Sequence, residues 1–248
     1  GYSEERQLQG YMTRRIEAYV VKKGKRIIGW DEILECGISK KAGVMTWVRP
    51  HTAVEAARRG NPVVMALTTN CYFDMMESNL DGEIPGANWM PALSLQKAYE
   101  WDPRPKGLSD EEAKNIMGVE GCLWTDQFMH NASLVEMSPL HENRSERYIE
   151  YYSLPRVAAL AEAGWTQQRS RNFKDFEHRM QTQYQRYEFY GYTYRLPVPN
   201  IEFIERDGLS YARADHIEGT SVYYSVDGST PSEFSNLLES DVPVKDLS

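Results

Sequence analysis

Lys25-Arg-Ile-Ile-Gly-Trp30-Asp31-Glu32 is the first of four short apolar runs in this 248-residue chain that end on an aromatic residue or an acid. The other three runs occupy residues 43–47, 62–67 with the following 71–74, and 117–126. Helical patterns separate most of the runs, so the chain repeats the order strand, loop, helix. This order predicts an α/β fold of the parallel-barrel type, in which binding and catalytic residues lie where the strands end.

The composition is that of an ordinary globular chain, with 41% hydrophobic and 26% charged residues. No apolar stretch reaches the ~20 residues that a membrane-spanning helix needs. The net charge of −8 argues against nucleic acid as a partner. Cys36, Cys71 and Cys122 are too few and too widely spaced for a disulfide framework or a zinc site. We therefore predict buried thiols, no metal and no cofactor, and the composition leaves the cell compartment open.

Periodicity and end signals place helices between the runs. An amphipathic helix is predicted from residue 3 to about 22, and Ser109-Asp-Glu-Glu112 is a capping box that begins another. A long helical stretch from about residue 145 to 163 has a boundary or kink at Pro155. A further helix begins at residue 172, and its apolar stripe predicts core packing. The stripe consists of Phe173, Phe176, Met180, Tyr184 and Tyr187.

The domain organisation predicted from these patterns is incomplete. A closed eight-stranded barrel needs eight strands in about 250 residues, but residues 1–190 offer only four strand candidates. Half a barrel leaves open sheet edges, so the chain is expected to need residues that it does not contain. Residues 191–199 carry a Pro-rich linker signal. Residues 200–248 carry two alternating strand patterns, at 200–205 and 221–226, which predict an incomplete β module.

Aromatic residues at the strand ends form the main candidate site. Trp30, Trp47 and Trp124, with Tyr72, are predicted to form an aromatic cage, because such rings pack against the apolar face of a sugar or against a methyl group. The alternative is that these rings plug the barrel mouth. Asp74 and Asp126 each follow an aromatic residue at spacing two, so each acid would point the same way as its ring and accept from sugar hydroxyls.

The adjacent acids Asp31 and Glu32 invite assignment as the carboxylate pair of a glycosidase. Neighbouring residues on an extended segment face opposite sides, so the two carboxylates would not flank one bond. We therefore predict that they cap a helix or support site residues from behind.

Several ordered motifs give this chain a resemblance to the β-N-acetylhexosaminidases of glycoside hydrolase family 20. They are the stretch 28–34 followed by Trp47, the stretch 71–74, the stretch 91–103 and the stretch 118–126. The resemblance covers about residues 5–185. Residues 222–231 are similar to the small β module that often follows the barrel in bacterial members. The resemblance favours a secreted or periplasmic protein.

The resemblance implies cleavage of terminal N-acetylglucosamine or N-acetylgalactosamine with retention, with the substrate's own acetamido oxygen as nucleophile. Trp30, Trp47 and Trp124 would surround the acetamido methyl group and the sugar ring. Tyr72 would be the catalytic residue, donating a hydrogen bond to the acetamido oxygen as the oxazolinium ring forms.

Three further binding residues follow from the same resemblance. Asp74 would be a polar pocket residue, and Asp126 would accept from the 4- and 6-hydroxyls of the terminal sugar. Many members carry glutamate at the position of Asp126, so this chain has a shorter side chain there. Trp89 would line the pocket mouth.

One family motif is absent from the chain. The general acid of the family and its neighbouring aspartate belong to a His-x-Gly-Gly-Asp-Glu motif upstream of the matching region, and no such motif occurs here. The resemblance therefore implies the second half of a (β/α)8 barrel followed by the start of a β module. Its expected partners are β-linked N-acetylhexosamine glycans and the N-terminal half of the barrel, and the chain alone is expected to be inactive.

Two other interpretations stay open at this point. The first is that the chain is a non-catalytic fragment with a carbohydrate-binding or structural role. The second is that it is part of a different barrel glycosidase. In the second case the carboxylates would come from Asp31, Asp74, Glu120 or Asp126.

Overall fold

Four short parallel strands form the central sheet of the protein. The computed structural model describes residues 5–80, 83–125, 144–217 and 219–244. The strands are β1 (Ile28–Trp30), β2 (Gly43–Thr46), β3 (Val63–Met65) and β4 (Ile116–Val119), and they lie side by side in the order β1-β2-β3-β4. All three pairings are parallel. The α/β class and the four predicted strands are therefore confirmed.

Helices connect and cover these strands. They are α1 (Glu5–Lys22), α2 (Pro50–Arg59), α3 (Thr68–Cys71), α4 (Leu95–Glu100), α5 (Asp110–Ala113), α6 (Arg144–Ser153), α7 (Arg156–Trp165) and α8 (Phe173–Tyr190), with 3₁₀ turns at Asp31–Cys36 and Gln168–Ser170. The Ser109 capping box is present, and Pro155 separates α6 from α7 as predicted. None of the helices in the described ranges is long and apolar enough to cross a membrane.

The core lies on both faces of the sheet. Val44, Val63 and Met65 pack against the alanines of α2, which are fully buried. A larger cluster joins the ends of β3 and β4 to α4, α7 and α8. Four of the five residues in the predicted α8 stripe are buried, and Phe173 packs at the edge of the cluster, which confirms the stripe as core packing. All three cysteines are buried thiols, as predicted.

Helix α1 is amphipathic in an unusual orientation. Its face toward the 3₁₀ turn carries Gly10 and Glu17, and the Glu17 carboxylate accepts hydrogen bonds from the N–H and hydroxyl of Ser39. The sequence predicts an apolar stripe of Leu8, Met12, Ile16, Tyr19 and Val20 on this helix. Four of its members face solvent, with Leu8 53%, Met12 51%, Ile16 52% and Tyr19 64% exposed, and Val20 is partly buried. In the part of the chain that the structure describes, no strand pairs with the outer edge of β1 or of β4.

The C-terminal residues form two small antiparallel sheets. Strands β5 (Asn200–Arg206), β6 (Leu209–Asp215) and β9 (Val242–Pro243) form one, and β7 (Tyr223–Tyr224) pairs with β8 (Asn236–Leu237) in the other. The pattern at 221–226 yields only the two residues of β7, and β6 was not predicted. The missed signal is Asp207-Gly208, a two-residue hairpin loop in which both residues have positive φ.

Candidate active site

Residues at the ends of all four strands line one pocket. Trp30 is the last residue of β1, Trp47 follows β2, and Tyr72 follows the short helix α3 after β3. Trp124 lies beyond β4 on a segment that continues beside Tyr72, because Tyr72 and Cys122 form a parallel bridge. These four residues line a pocket of about 480 Å³ together with Glu32, Asp74 and Trp89. Six of the seven predicted site residues are therefore brought together, and Asp126 lies outside the described residues.

The rings contact one another in a continuous set that we call the aromatic wall, formed by Trp30, Trp47, Tyr72 and Trp124. Ring centroids are 6.1 Å apart for Trp30 with Trp47 and for Trp30 with Trp124, and 6.4 Å apart for Tyr72 with Trp47 and with Trp124. Trp89 meets Tyr72 edge-on at 6.2 Å. The rings line an open pocket and do not fill it, since Trp89 and Trp124 are nearly half exposed.

Asp31 and Glu32 support different parts of this site. The Trp47 indole N–H donates to the Glu32 carboxylate at 3.0 Å, which fixes the orientation of the ring. Asp31 is fully buried and accepts from the Arg49 N–H at 3.3 Å and from the Thr52 hydroxyl at 3.2 Å, at the start of α2. Asp31 therefore lies beneath the site at the start of α2, whereas Glu32 both holds the Trp47 ring and lines the pocket.

Glu32 is the pocket residue that the sequence interpretation missed. The sequence predicts an extended backbone at residues 31–32, whereas they begin the 3₁₀ turn Asp31–Cys36. A turn with about three residues per revolution rotates successive side chains by roughly 120°, which lets Glu32 reach the pocket while Asp31 stays beneath it. The acidic residues Asp31 and Glu32, which are typical of the first turn of a helix, were the sequence signal for this turn.

Tyr72 supplies the hydroxyl group of the aromatic wall and is buried, with 3% of the residue exposed. Burial raises the pKa of Tyr72 well above its usual value, the nearby Cys122 thiol raises it further, and a hydrogen bond with Trp124 offsets part of the rise. The phenol is therefore neutral at physiological pH and keeps its O–H as a donor. Its backbone is fixed, because the Phe73 N–H donates to the Cys122 carbonyl at 2.7 Å.

The two cysteines beside Tyr72 do not supply a nucleophile. Burial raises the pKa of Cys122 to about 12, with further rises from Glu120 and Asp74, and burial raises the pKa of Cys71 as well. Both are thiols at neutral pH, and the thiolate is the reactive form of cysteine. Over the described ranges, no three histidine, cysteine, aspartate or glutamate side chains come together as a metal site.

A parallel α/β sheet that carries an aromatic pocket with carboxylates at its strand ends is typical of the barrel enzymes that act on sugars. The match to a known family is specific: the family model "Glycosyl hydrolase family 20, catalytic domain" matches residues 1–168, and the chain belongs to this family. The predicted resemblance is therefore confirmed.

Curated relatives and solved structures agree with this assignment. A β-hexosaminidase of Porphyromonas gingivalis is 28% identical over 241 residues, which are 93% of this chain and 28% of the relative. A β-hexosaminidase of Vibrio furnissii is 29% identical over 66% of this chain and 24% of the relative. The structure of an exo-β-N-acetylglucosaminidase from Vibrio harveyi in complex with N-acetylglucosamine matches with a TM-score of 0.67 and 29% identity. That match covers 79% of this chain and 28% of the other, so the chain spans less than a third of these relatives.

Proposed function

We propose that this chain supplies the sugar pocket of a retaining exo-β-N-acetylhexosaminidase that works by substrate-assisted catalysis. The observation that carries the proposal is the meeting of the aromatic wall, Asp74 and Glu32 in one open pocket at the strand ends. Three tryptophans and a tyrosine offer apolar faces to a sugar ring and to an acetamido methyl group. The similar Vibrio harveyi enzyme is in complex with N-acetylglucosamine, which supports the same ligand chemistry here.

In the proposed reaction, the acetamido oxygen of the substrate attacks the anomeric carbon as the glycosidic bond breaks. The leaving oxygen takes a proton from an acid that this chain does not contain. Tyr72 donates its O–H to the acetamido oxygen and holds the amide in the attacking position, while the tryptophans confine the methyl group and exclude water. Water then opens the oxazolinium ring and gives the product with retained configuration.

The polar residues hold the sugar in this pose. Asp74, which is almost fully buried and lines the pocket beside Tyr72, is proposed to accept from a ring hydroxyl or from the acetamido N–H. Asp126 is proposed to accept from the 4- and 6-hydroxyls, and Trp89 is proposed to cover the pocket mouth.

We also propose that residues 1–190 are the second half of a (β/α)8 barrel, with residues 191–199 as linker and 200–248 as part of a β module. Two features support a missing first half. The outer edge of β1 is unpaired among the described strands, and four apolar side chains of α1, the helix that precedes β1 in the chain, are exposed. A preceding strand–helix unit would cover both surfaces and close the sheet.

A second candidate function is non-catalytic binding of the same sugars. The aromatic wall supports it, because ring faces bind a sugar whether or not a proton donor is present.

A binding experiment tests the pocket itself. Titration of the chain with N-acetylglucosamine is expected to change tryptophan fluorescence, and glucose, which lacks the acetamido group, is expected to have little effect. Trp47→Ala should abolish the response. Equal binding of glucose and N-acetylglucosamine would show that the pocket does not recognise the acetamido group.

Glu32→Ala is expected to weaken N-acetylglucosamine binding by about 10-fold, because the variant removes the charged acceptor that orients the Trp47 indole. The same fluorescence titration measures it. Glu35→Ala is the matched control: Glu35 belongs to the same turn but pairs with Arg49 on the surface. A loss of the same size in both variants would refute the orienting role of Glu32.

Ile16→Lys tests the proposed surface for the first half of the barrel. The side chain is exposed, so the midpoint of thermal unfolding should shift by no more than a few degrees. Assembly with a polypeptide carrying the upstream half should weaken by about 10-fold or more, because a charge would enter the apolar contact. Analytical ultracentrifugation of the mixture measures assembly. Ala18→Lys, at an exposed position on another face of the same helix, is the control and should assemble like the wild type.

A further inference from the structure

Arg156 is a buried guanidinium with an unusual set of partners. Its Nη1 donates to the carbonyls of Met75 at 2.9 Å and Leu93 at 3.0 Å, and its Nη2 donates to the carbonyls of Phe73 and Tyr152, both at 2.7 Å. The side chain is 1% exposed. Arginine offers five N–H donors in a rigid fork, and here four main-chain carbonyls receive from it.

Three of these carbonyls belong to the segment that carries the site. Phe73 and Met75 flank Asp74, and Leu93 lies at the far end of the excursion that includes Trp89. We call residues 73–80 and 83–93 the site excursion. Its base is closed by two further hydrogen bonds, from the Ala87 N–H to the Asp74 carbonyl at 2.8 Å and from the Leu93 N–H to the Met76 carbonyl at 2.9 Å. Arg156 therefore joins both ends of the excursion.

Local helix energetics do not account for an arginine at this position. Arg156 is the first residue of α7, where a cation opposes the helix dipole. A buried charge is costly unless it is paired and hydrogen-bonded. Glu77, 7% exposed, lies 3.6 Å from Arg156 and 3.5 Å from Arg195, and Arg195 also pairs with Glu83 at 2.5 Å. Both glutamates belong to the site excursion, so the excursion supplies its own counter-charges.

We propose that Arg156 is a positioning residue that holds the site excursion, and with it Tyr72, Asp74 and Trp89, in register with the tryptophans of the aromatic wall. This inference rests on the proposed function for its effect on sugar binding, but its structural part stands independently. The guanidinium reaches the site only through the backbone of the excursion, since Arg156 does not line the pocket. The Phe73 ring, 5.4 Å from the guanidinium, strengthens the same attachment.

Arg156→Lys is the test, because lysine keeps the charge but presents a single ammonium that cannot serve four separated carbonyls. Arg171→Lys is the matched control: Arg171 also donates to main-chain carbonyls, those of Tyr99 and Trp101, but these lie outside the pocket. Hydrogen exchange followed by mass spectrometry should show exchange in the site excursion of Arg156→Lys faster by about 10-fold or more. Strands β1–β3 should keep their protection, and Arg171→Lys should leave the site excursion unchanged.

The same variants are titrated with N-acetylglucosamine. Arg156→Lys is expected to lose about 10-fold or more in affinity, and Arg171→Lys to bind like the wild type. Unchanged exchange in the excursion of Arg156→Lys, or increased exchange throughout the sheet, overturns the inference. Wild-type protein that does not bind N-acetylglucosamine overturns the proposed function, and the exchange result still decides the role of Arg156.

If Arg156→Lys does not fold, a second variant replaces it. Arg156→Gln retains two neutral N–H donors, and its hydrogen exchange is measured in the same way. If both variants fail to fold while Arg171→Lys folds, Arg156 stabilises the whole domain, and the positioning role is overturned.

Discussion

Tyr72→Phe is expected to lower the turnover number of the completed enzyme by about 10²–10³-fold, because it removes one donor from the oxygen on which charge changes in the transition state. The aromatic ring remains, so the contacts of Tyr72 with Trp47 and Trp124 are kept and substrate affinity should change much less. Steady-state kinetics with a fluorogenic N-acetylglucosaminide, on this chain assembled with the upstream half of the barrel, separates the two effects.

The pH profile adds a second expectation for Tyr72. Because burial raises the pKa of its phenol, the O–H donor is present throughout the neutral and mildly alkaline range. Tyr72 should therefore contribute no fall in activity until the pH is well above 10, the ordinary value for a tyrosine. Any acid or alkaline limb nearer neutrality must come from other groups.

Tyr194→Phe is the control for loss of a phenol hydroxyl. Its O–H donates to Glu188 at the surface, away from the pocket, and the variant should keep wild-type turnover. The opposite pattern would contradict the assignment: full activity in Tyr72→Phe together with loss of turnover in Glu120→Gln would place the chemistry on a carboxylate of a different glycosidase mechanism.

The meeting of the strand ends was predictable from the chain alone. Short apolar runs separated by helical patterns predict parallel strands, and the carboxyl ends of parallel strands share one edge of the sheet. Trp30, Trp47, Tyr72 and Trp124 are therefore neighbours although up to 94 residues separate them. The core stripe of α8 and the boundary at Pro155 were predictable for similar local reasons.

Other features depend on contacts that no local pattern records. The four carbonyls on Arg156 include three that lie between 63 and 83 residues away in sequence, and none of them has a side-chain signature. The apolar stripe of α1 is predictable from its spacing, but periodicity does not say which face of a helix meets its neighbour. Glu32 needed the 3₁₀ turn, whose backbone geometry the residue types did not specify.

The chain alone is expected to show no measurable hydrolysis of a fluorogenic N-acetylglucosaminide. The proposed mechanism needs a general acid, whose loss by itself typically costs about 10²–10⁴-fold, and the His-x-Gly-Gly-Asp-Glu motif is absent from the sequence. The open edges of the four-stranded sheet add to this loss, because half of the proposed pocket rim would be missing. Addition of an upstream polypeptide that carries the motif is expected to restore turnover.

A variant of the upstream polypeptide separates the two causes of inactivity, which are the missing general acid and the open barrel. If its glutamate is replaced by glutamine, the mixture should assemble and bind N-acetylglucosamine but remain inactive, because the barrel is closed while the proton donor is lost. Restored turnover with the glutamine variant would mean that an acid in this chain protonates the leaving group, with Glu32 and Asp74 as the described carboxylates of the pocket. Hydrolysis by the chain alone would contradict both the missing acid and the half-barrel, since a pocket that turns over substrate must already contain its donor.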